Sequence, residues 1–233
     1  MGYPIQYKRL FGVQRTHYYG VNDILVRTLR RLTAEEMEKL PENKQHLARM
    51  RVLEYLNWWN QGETAYILLA PWRPILKKTY GEGKEKERQE RQNKLAYPDA
   101  CIQIRERASW LEFDNSTKTI ENDEKKKDPS KRGTTIEDKL VQYIETLGPI
   151  QNKDPIIWVA ASPSRIENIQ KCWEKVKRSE RVKSIQEKAK RAKGNFFFPE
   201  MHFCLIGEEQ NILSNTPNNT LNDTLSNFES KIT

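Results

Sequence analysis

The chain has 233 residues, a formal net charge of +8 and 31% charged residues, with a pI near 9.3. That size suits one domain with short appendages, and the basic balance favours an anionic partner, nucleic acid ahead of a membrane surface. Three scattered cysteines (Cys101, Cys172, Cys204) and three scattered histidines (His17, His46, His202) exclude a disulfide framework and a zinc site of ordinary spacing.

Taken in order, residues 1–16 are basic and aromatic without a period, and read as a leader or the stub of an N-terminal domain. Lys8 and Arg9 are followed by no apolar core, so no signal peptide is expected. Runs such as AYILLAPW fall far short of the roughly 20 apolar residues that span a bilayer, so no membrane role is expected and the place is the cytoplasm. Over residues 17–32, Val21, Ile24, Leu25 and Leu29 recur at helical spacing, with Thr16 or Asn22 as cap. A short helix broken by Pro41 follows. Residues 51–72 fit a helix or one or two strands; a strand is expected between Arg51 and Trp59. Trp58, Trp59 and Trp72 fit core packing better than base stacking. Residues 77–94 are almost wholly polar, and form an exposed helix or a basic loop.

The stretch PDACIQIRERASWLEFD, residues 98–114, alternates on either side of a polar break at residues 105–108. This is the mark of a hairpin with unlike faces. One face holds Ala100, Ile102, Ile104, Leu111 and Phe113; the other holds Asp99, Cys101, Gln103, Trp110, Glu112 and Asp114. A turn centred between Glu106 and Arg107 sets Asp99 opposite Asp114, and Cys101 opposite Glu112. Three carboxylates then crowd one face, and their repulsion calls for a metal ion or a basic partner.

A hydrophilic loop over residues 115–133 leads to a helix capped by Thr134 and Glu137, with Ile136, Leu140, Ile144 and Leu147 as its buried stripe and Gly148–Pro149 as its end. PIIWVAA is a buried strand. Ser162–Pro163 opens a helix facing inward through Ile166, Ile169, Trp173 and Val176, continued by the basic KRSERVKSIQEKAKRAK. FFFPEMHFCLIG supplies an edge strand interrupted by Pro199. Residues 208–233, rich in Asn, Thr and Ser, are expected to be disordered. The order of elements is that of an α/β fold, a mixed sheet with helices on both faces.

This order, together with HYYGVND from His17, NWWNQGE from Asn57, PDACI from Pro98, WLEFDNST from Trp110 and DKLVQY from Asp138, resembles the replication-relaxation family of bacterial plasmids and mobile elements. That family belongs to the PD-(D/E)XK nuclease-like superfamily. The resemblance implies a restriction-endonuclease-like domain over residues 17–207, acting on DNA in plasmid replication or transfer, with protein partners in such a complex. It implies magnesium held by Asp99 and Glu112. Asp114 stands where active members carry lysine, and the family's N-terminal winged helix does not fit in sixteen residues.

Magnesium-dependent cleavage also needs positive charge at the scissile phosphate. Lys139 and Tyr143, one turn apart on one helix face, and Lys118 are the candidates to supply what Asp114 lacks. The catalytic set is then Asp99, Glu112, Asp114, Lys139 and Tyr143. The alternative use of Lys139 is to neutralise Glu112 or Asp114 in an inactive nuclease fold that still binds DNA, and a third reading is a basic helix docking on an acidic partner. Lys77, Lys78, Arg88, Arg91, Lys118, Lys175, Arg178 and Arg181 are the candidate phosphate contacts.

Overall fold

The computed structural model describes residues 12–115, 120, 135–191 and 196–215. The first helix, α1 (Gly12–Glu38), begins inside the stretch expected to be a leader and runs past Leu32, burying Val21, Ile24 and Leu32. A 3-10 turn over Glu42–Leu47 follows Pro41 and leads into α2 (Ala48–Tyr55). Strand β1 (Leu56–Asn60) continues from α2 without a loop. The expected strand is therefore present, but a helix occupies the residues before it. Asn60 ends β1 and caps α3 (Gln61–Tyr80): its Oδ1 accepts from the N–H of Gly62 at 2.9 Å, and the Glu63 carboxylate accepts from its N–H at 2.8 Å. After Gly81 and Gly83, both in the left-handed region, α4 (Glu85–Gln92) is the exposed helix of the two alternatives for this segment.

The hairpin is β2 (Ala100–Ile104) and β3 (Arg107–Asp114), with Ala100 paired to Leu111 and Ile104 to Arg107. This corrects the expected register by two residues: the turn is Arg105–Glu106, with Arg105 at φ 58°. A two-residue shift keeps every side chain on its expected face but changes the opposed pairs, so Cys101 faces Trp110.

Next come α5 (Ile136–Leu147), β4 (Ile156–Ala160), α6 (Pro163–Arg178), α7 (Glu180–Arg191), β5 (Met201–Leu205) and α8 (Glu209–Asn215). Thr135 and Asp138 form the capping box of α5, one residue later than expected. Ser179, in extended backbone, separates α6 from α7, so the basic continuation is a second helix. α8 is also a correction: the first residues of the expected disordered tail pack as a helix, with Glu209 and Leu213 buried. The rest of that tail, and most of the loop holding Lys118, lie outside the described residues.

The sheet order is β1-β2-β3-β4-β5, antiparallel through β3 and parallel from β3 to β5. Successive right-handed crossovers that step in one direction place their helices on the same face. That face packs Cys101, Ala108, Trp110 and Trp158 against Leu68, Leu140, Ile144, Ile169 and Val182 of α3, α5, α6 and α7. The other face packs Ala100, Ile102, Leu111, Phe113 and Val159 against Val21, Ile24, Val52 and Leu213 of α1, α2 and α8. The fold is thus an α/β five-stranded mixed sheet flanked by helices. No described helix is long and apolar enough to cross a membrane.

Candidate functional site

β3 is the central strand, and its last residues put Glu112 and Asp114 on the face covered by α5 and α6. Asp99 stands one residue before β2. Its N–H donates to the Leu111 carbonyl at 2.9 Å, and its Oδ2 accepts from the Phe113 N–H at 2.9 Å. Continuing the strand register sets Asp99 beside Glu112 rather than Asp114.

The capped start of α5 fixes which of its residues point back at the sheet. Lys139 Nζ lies 2.5 Å from Glu112 Oε2, and the Tyr143 hydroxyl donates to Glu112 Oε1. From the opposite side of the sheet, His17 of α1 reaches round the strand end, with Nε2 3.1 Å from Asp99 Oδ1. Its ring packs edge-on against Phe113 at 5.9 Å. Asp114 is held separately by Arg165 in the first turn of α6, Nε to Oδ2 at 2.5 Å and Nη2 to Oδ1 at 3.3 Å. Asp99, Glu112, Asp114 and Lys139 are all buried.

Burial and the neighbouring Asp99 charge push Glu112 up to about 7, against the donors from Lys139 and Tyr143. Burial acts to raise Asp99 too, but Lys139, His17 and the Phe113 amide outweigh it and hold Asp99 at about 2. The hydrogen bond to Asp99 raises His17 above its ordinary value in spite of burial. Lys139 is raised because Glu112 and Asp99 outweigh its burial, so it stays charged. Burial and Glu112 push Tyr143 well above its ordinary value, so it stays a donor. Two carboxylates of divergent acidity thus share one ammonium and one imidazole.

Of the expected site residues, Asp99, Glu112, Lys139 and Tyr143 come together, and Asp114 is drawn off to Arg165. Lys118 lies outside the described residues. Lys77 and Lys78 are exposed, with Lys77 3.8 Å from Glu82. Arg88 is paired with Glu85 at 2.5 Å, and Arg91 lies between Glu145 at 3.5 Å and the Trp72 ring at 5.6 Å. Lys175, Arg178 and Arg181 are exposed on α6 and α7, Arg181 being 3.3 Å from Asp138. Trp72 is buried in the core, and Trp58 and Trp59 are half-buried on the two faces of β1.

His17 and Arg165 were missed by sequence reasoning. His17 had a signal: with Val21 and Ile24 it stands at i, i+4 and i+7, so it extends the buried stripe of α1. A polar residue on such a stripe needs a buried partner.

The expected magnesium ligands, Asp99 and Glu112, each already take two donors. Both oxygens of Glu112 accept from Lys139 and Tyr143, and both of Asp99 accept from His17 and the Phe113 amide. A hard cation needs several oxygens turned towards it. Among the described residues no group of three or more His, Cys, Asp or Glu side chains is arranged to hold a metal ion. What the arrangement does do is tie β2, β3, α5 and α1 together through neutralised charge. No protein-family model, curated protein or solved structure matches the chain.

Proposed function

We propose that this chain is a DNA-binding protein of plasmid or mobile-element replication and relaxation. Its core is restriction-endonuclease-like, and its buried carboxylates hold the fold rather than cut the duplex. The observation that carries the reading is where the charge lies. Asp99, Glu112 and Asp114 are buried and met from within by Lys139, His17 and Arg165, while a surplus of +8 belongs to the chain as a whole. Cations left outside such a core neutralise phosphates, and each carboxylate inside it already meets a cation of the chain. The protein works in the bacterial cytoplasm beside the other proteins of a replication or transfer complex.

The test has two arms. In a gel-shift series, duplex DNA is retarded at low salt, and the affinity falls steeply as salt rises. Supercoiled plasmid incubated with magnesium or manganese stays supercoiled with the wild type and with Glu112→Gln alike. Nicking by the wild type that is lost in Glu112→Gln replaces this reading with a metal-dependent endonuclease holding the ion at Asp99 and Glu112. Absence of retardation at low salt replaces it with a protein that docks on an acidic partner.

A further inference from the structure

We infer that DNA lies along the outer face of α6 and α7, held by its phosphates, and that the other basic region, the end of α3 with α4, stays off it. This rests on the DNA-binding reading above and adds the surface. Residues 163–191 hold ten Lys and Arg against four Glu, a surplus of six out of the chain's eight. Residues 77–94 hold seven Lys and Arg against four Glu, a surplus of three.

The two regions differ in what their cations are doing. Near α4, Arg88 is paired with Glu85, and half-buried Arg91 is committed to Glu145 and Trp72. Exposed Lys78, Lys84, Lys86 and Lys94 share the segment with exposed Glu87 and Glu90, which have no ion pair among the described residues. On α6 and α7 Arg165 is held by Asp114 and Arg181 by Asp138, and every acid is committed as well. Glu167, Glu174, Glu180 and Glu187 each have a Lys or Arg three or four residues further on, at 2.6 to 3.8 Å. Those pairs cancel locally and leave Arg178, Lys188 and Lys190 exposed, with no ion pair among the described residues. Lys171, Lys175 and Arg178 line one shallow groove together with Glu167, Glu174 and Glu180, so the groove itself is balanced and the surplus lies with Arg178 at its end and with Lys188 and Lys190 beyond it.

α7 is oriented for this role. Val182 is buried and Ile185, Gln186 and Ala189 are half-buried, so one face sits on the body, and the exposed lysines flank it on both sides. Phosphate contact of this kind carries little sequence information, so the surface positions the duplex rather than reads it.

The test is anisotropy of a labelled duplex between about 50 and 300 mM salt, where each phosphate contact contributes about 0.9 to the slope of log K against log salt. The triple variant Arg178→Gln, Lys188→Gln, Lys190→Gln lowers that slope by about two to three. Its charge-keeping counterpart, Arg178→Lys, Lys188→Arg, Lys190→Arg, holds the wild-type slope and guards against a fold defect. The control triple Lys77→Gln, Lys78→Gln, Lys94→Gln changes the slope by less than about one. A wild-type slope in the first variant, or an equal drop in the control, overturns the assignment of the surface. A wild type that binds no duplex at any salt overturns the DNA-binding reading, and this surface with it.

Discussion

At the scale of single residues, the cluster at the end of β3 ties stability to pH in a definite direction. Glu112 keeps its proton to about 7 in the fold, against 4.5 in an unfolded chain. Its contribution is therefore fully present below about pH 4.5 and lost by about pH 7. His17 is also raised, so the benefit of its charge at Asp99 is present below its ordinary 6.5 and disappears as pH climbs through the higher folded value. Asp154, pushed by burial to about 6, acts in the same sense as Glu112. Asp99 opposes them only in strong acid, where its contribution is lost as pH falls from 3.8 towards about 2. Thermal melts should accordingly give a Tm that is higher near pH 5 than near pH 8. His17→Asn should flatten the part of that fall lying above about pH 6.5, while leaving the part due to Glu112 and Asp154. A Tm that is level or rises over this range would remove the cluster's assigned charges. The pairing was beyond the reach of a sequence reading because His17 and Asp99 are distant along the chain and meet only once α1 lies across the sheet.

At the scale of elements, that meeting depends on how closely α1 approaches β3. A Cβ on Gly20 would lie 2.2 to 2.6 Å from three ring atoms of Phe113, so the buried ring or the helix must shift. Gly20→Ala gains helix propensity of about 1 kcal/mol, yet the overpacking costs about 1–3 kcal/mol and bears on the helix that carries His17. Urea denaturation should therefore show a net loss, and the pH response above 6.5 should weaken as it does in His17→Asn. A stabilised Gly20→Ala protein would mean that α1 is free to stand further off. Elements specified within themselves were legible. Ile136, Leu140, Ile144 and Leu147 mark α5, continuous burial marks β4, and Ser162 with Pro163 marks the start of α6. Elements that share a boundary residue were not, since Asn60 both ends β1 and caps α3 with no turn between them. The hairpin lies between these cases. Alternation gave its faces, but the turn carries no glycine, and Arg105 takes the left-handed conformation that glycine usually advertises. So the site's residue types were legible and its opposed pairs were not.

At the scale of the molecule, the two ends of the described chain close one face of the sheet together. α8 lies against α1, where Arg27 donates to buried Glu209 through Nε at 2.9 Å. Gln210 donates to Thr28 at 2.9 Å, and Arg31 donates to Gln210 at 3.2 Å. Leu213 enters the same apolar cluster as Val21, Ile24 and Phe113. Ending the chain after Gly207 removes all of this. Exposing the surface that Leu213 covers costs about 1.5–3 kcal/mol, and Arg27 loses a buried carboxylate, so a total loss of at least about 3 kcal/mol is expected. Ending it after Asn215 keeps each of these contacts, so urea unfolding should give this chain a higher free energy than the one ending at Gly207. α8 and the α6–α7 pair cover opposite faces of the sheet. The shorter truncation should therefore lose stability while keeping, at a temperature where it is folded, the salt slope of the full chain. A slope that falls along with stability would place the duplex against α1 and α8 instead, and equal stability of the two truncations would show that α8 does not close the core.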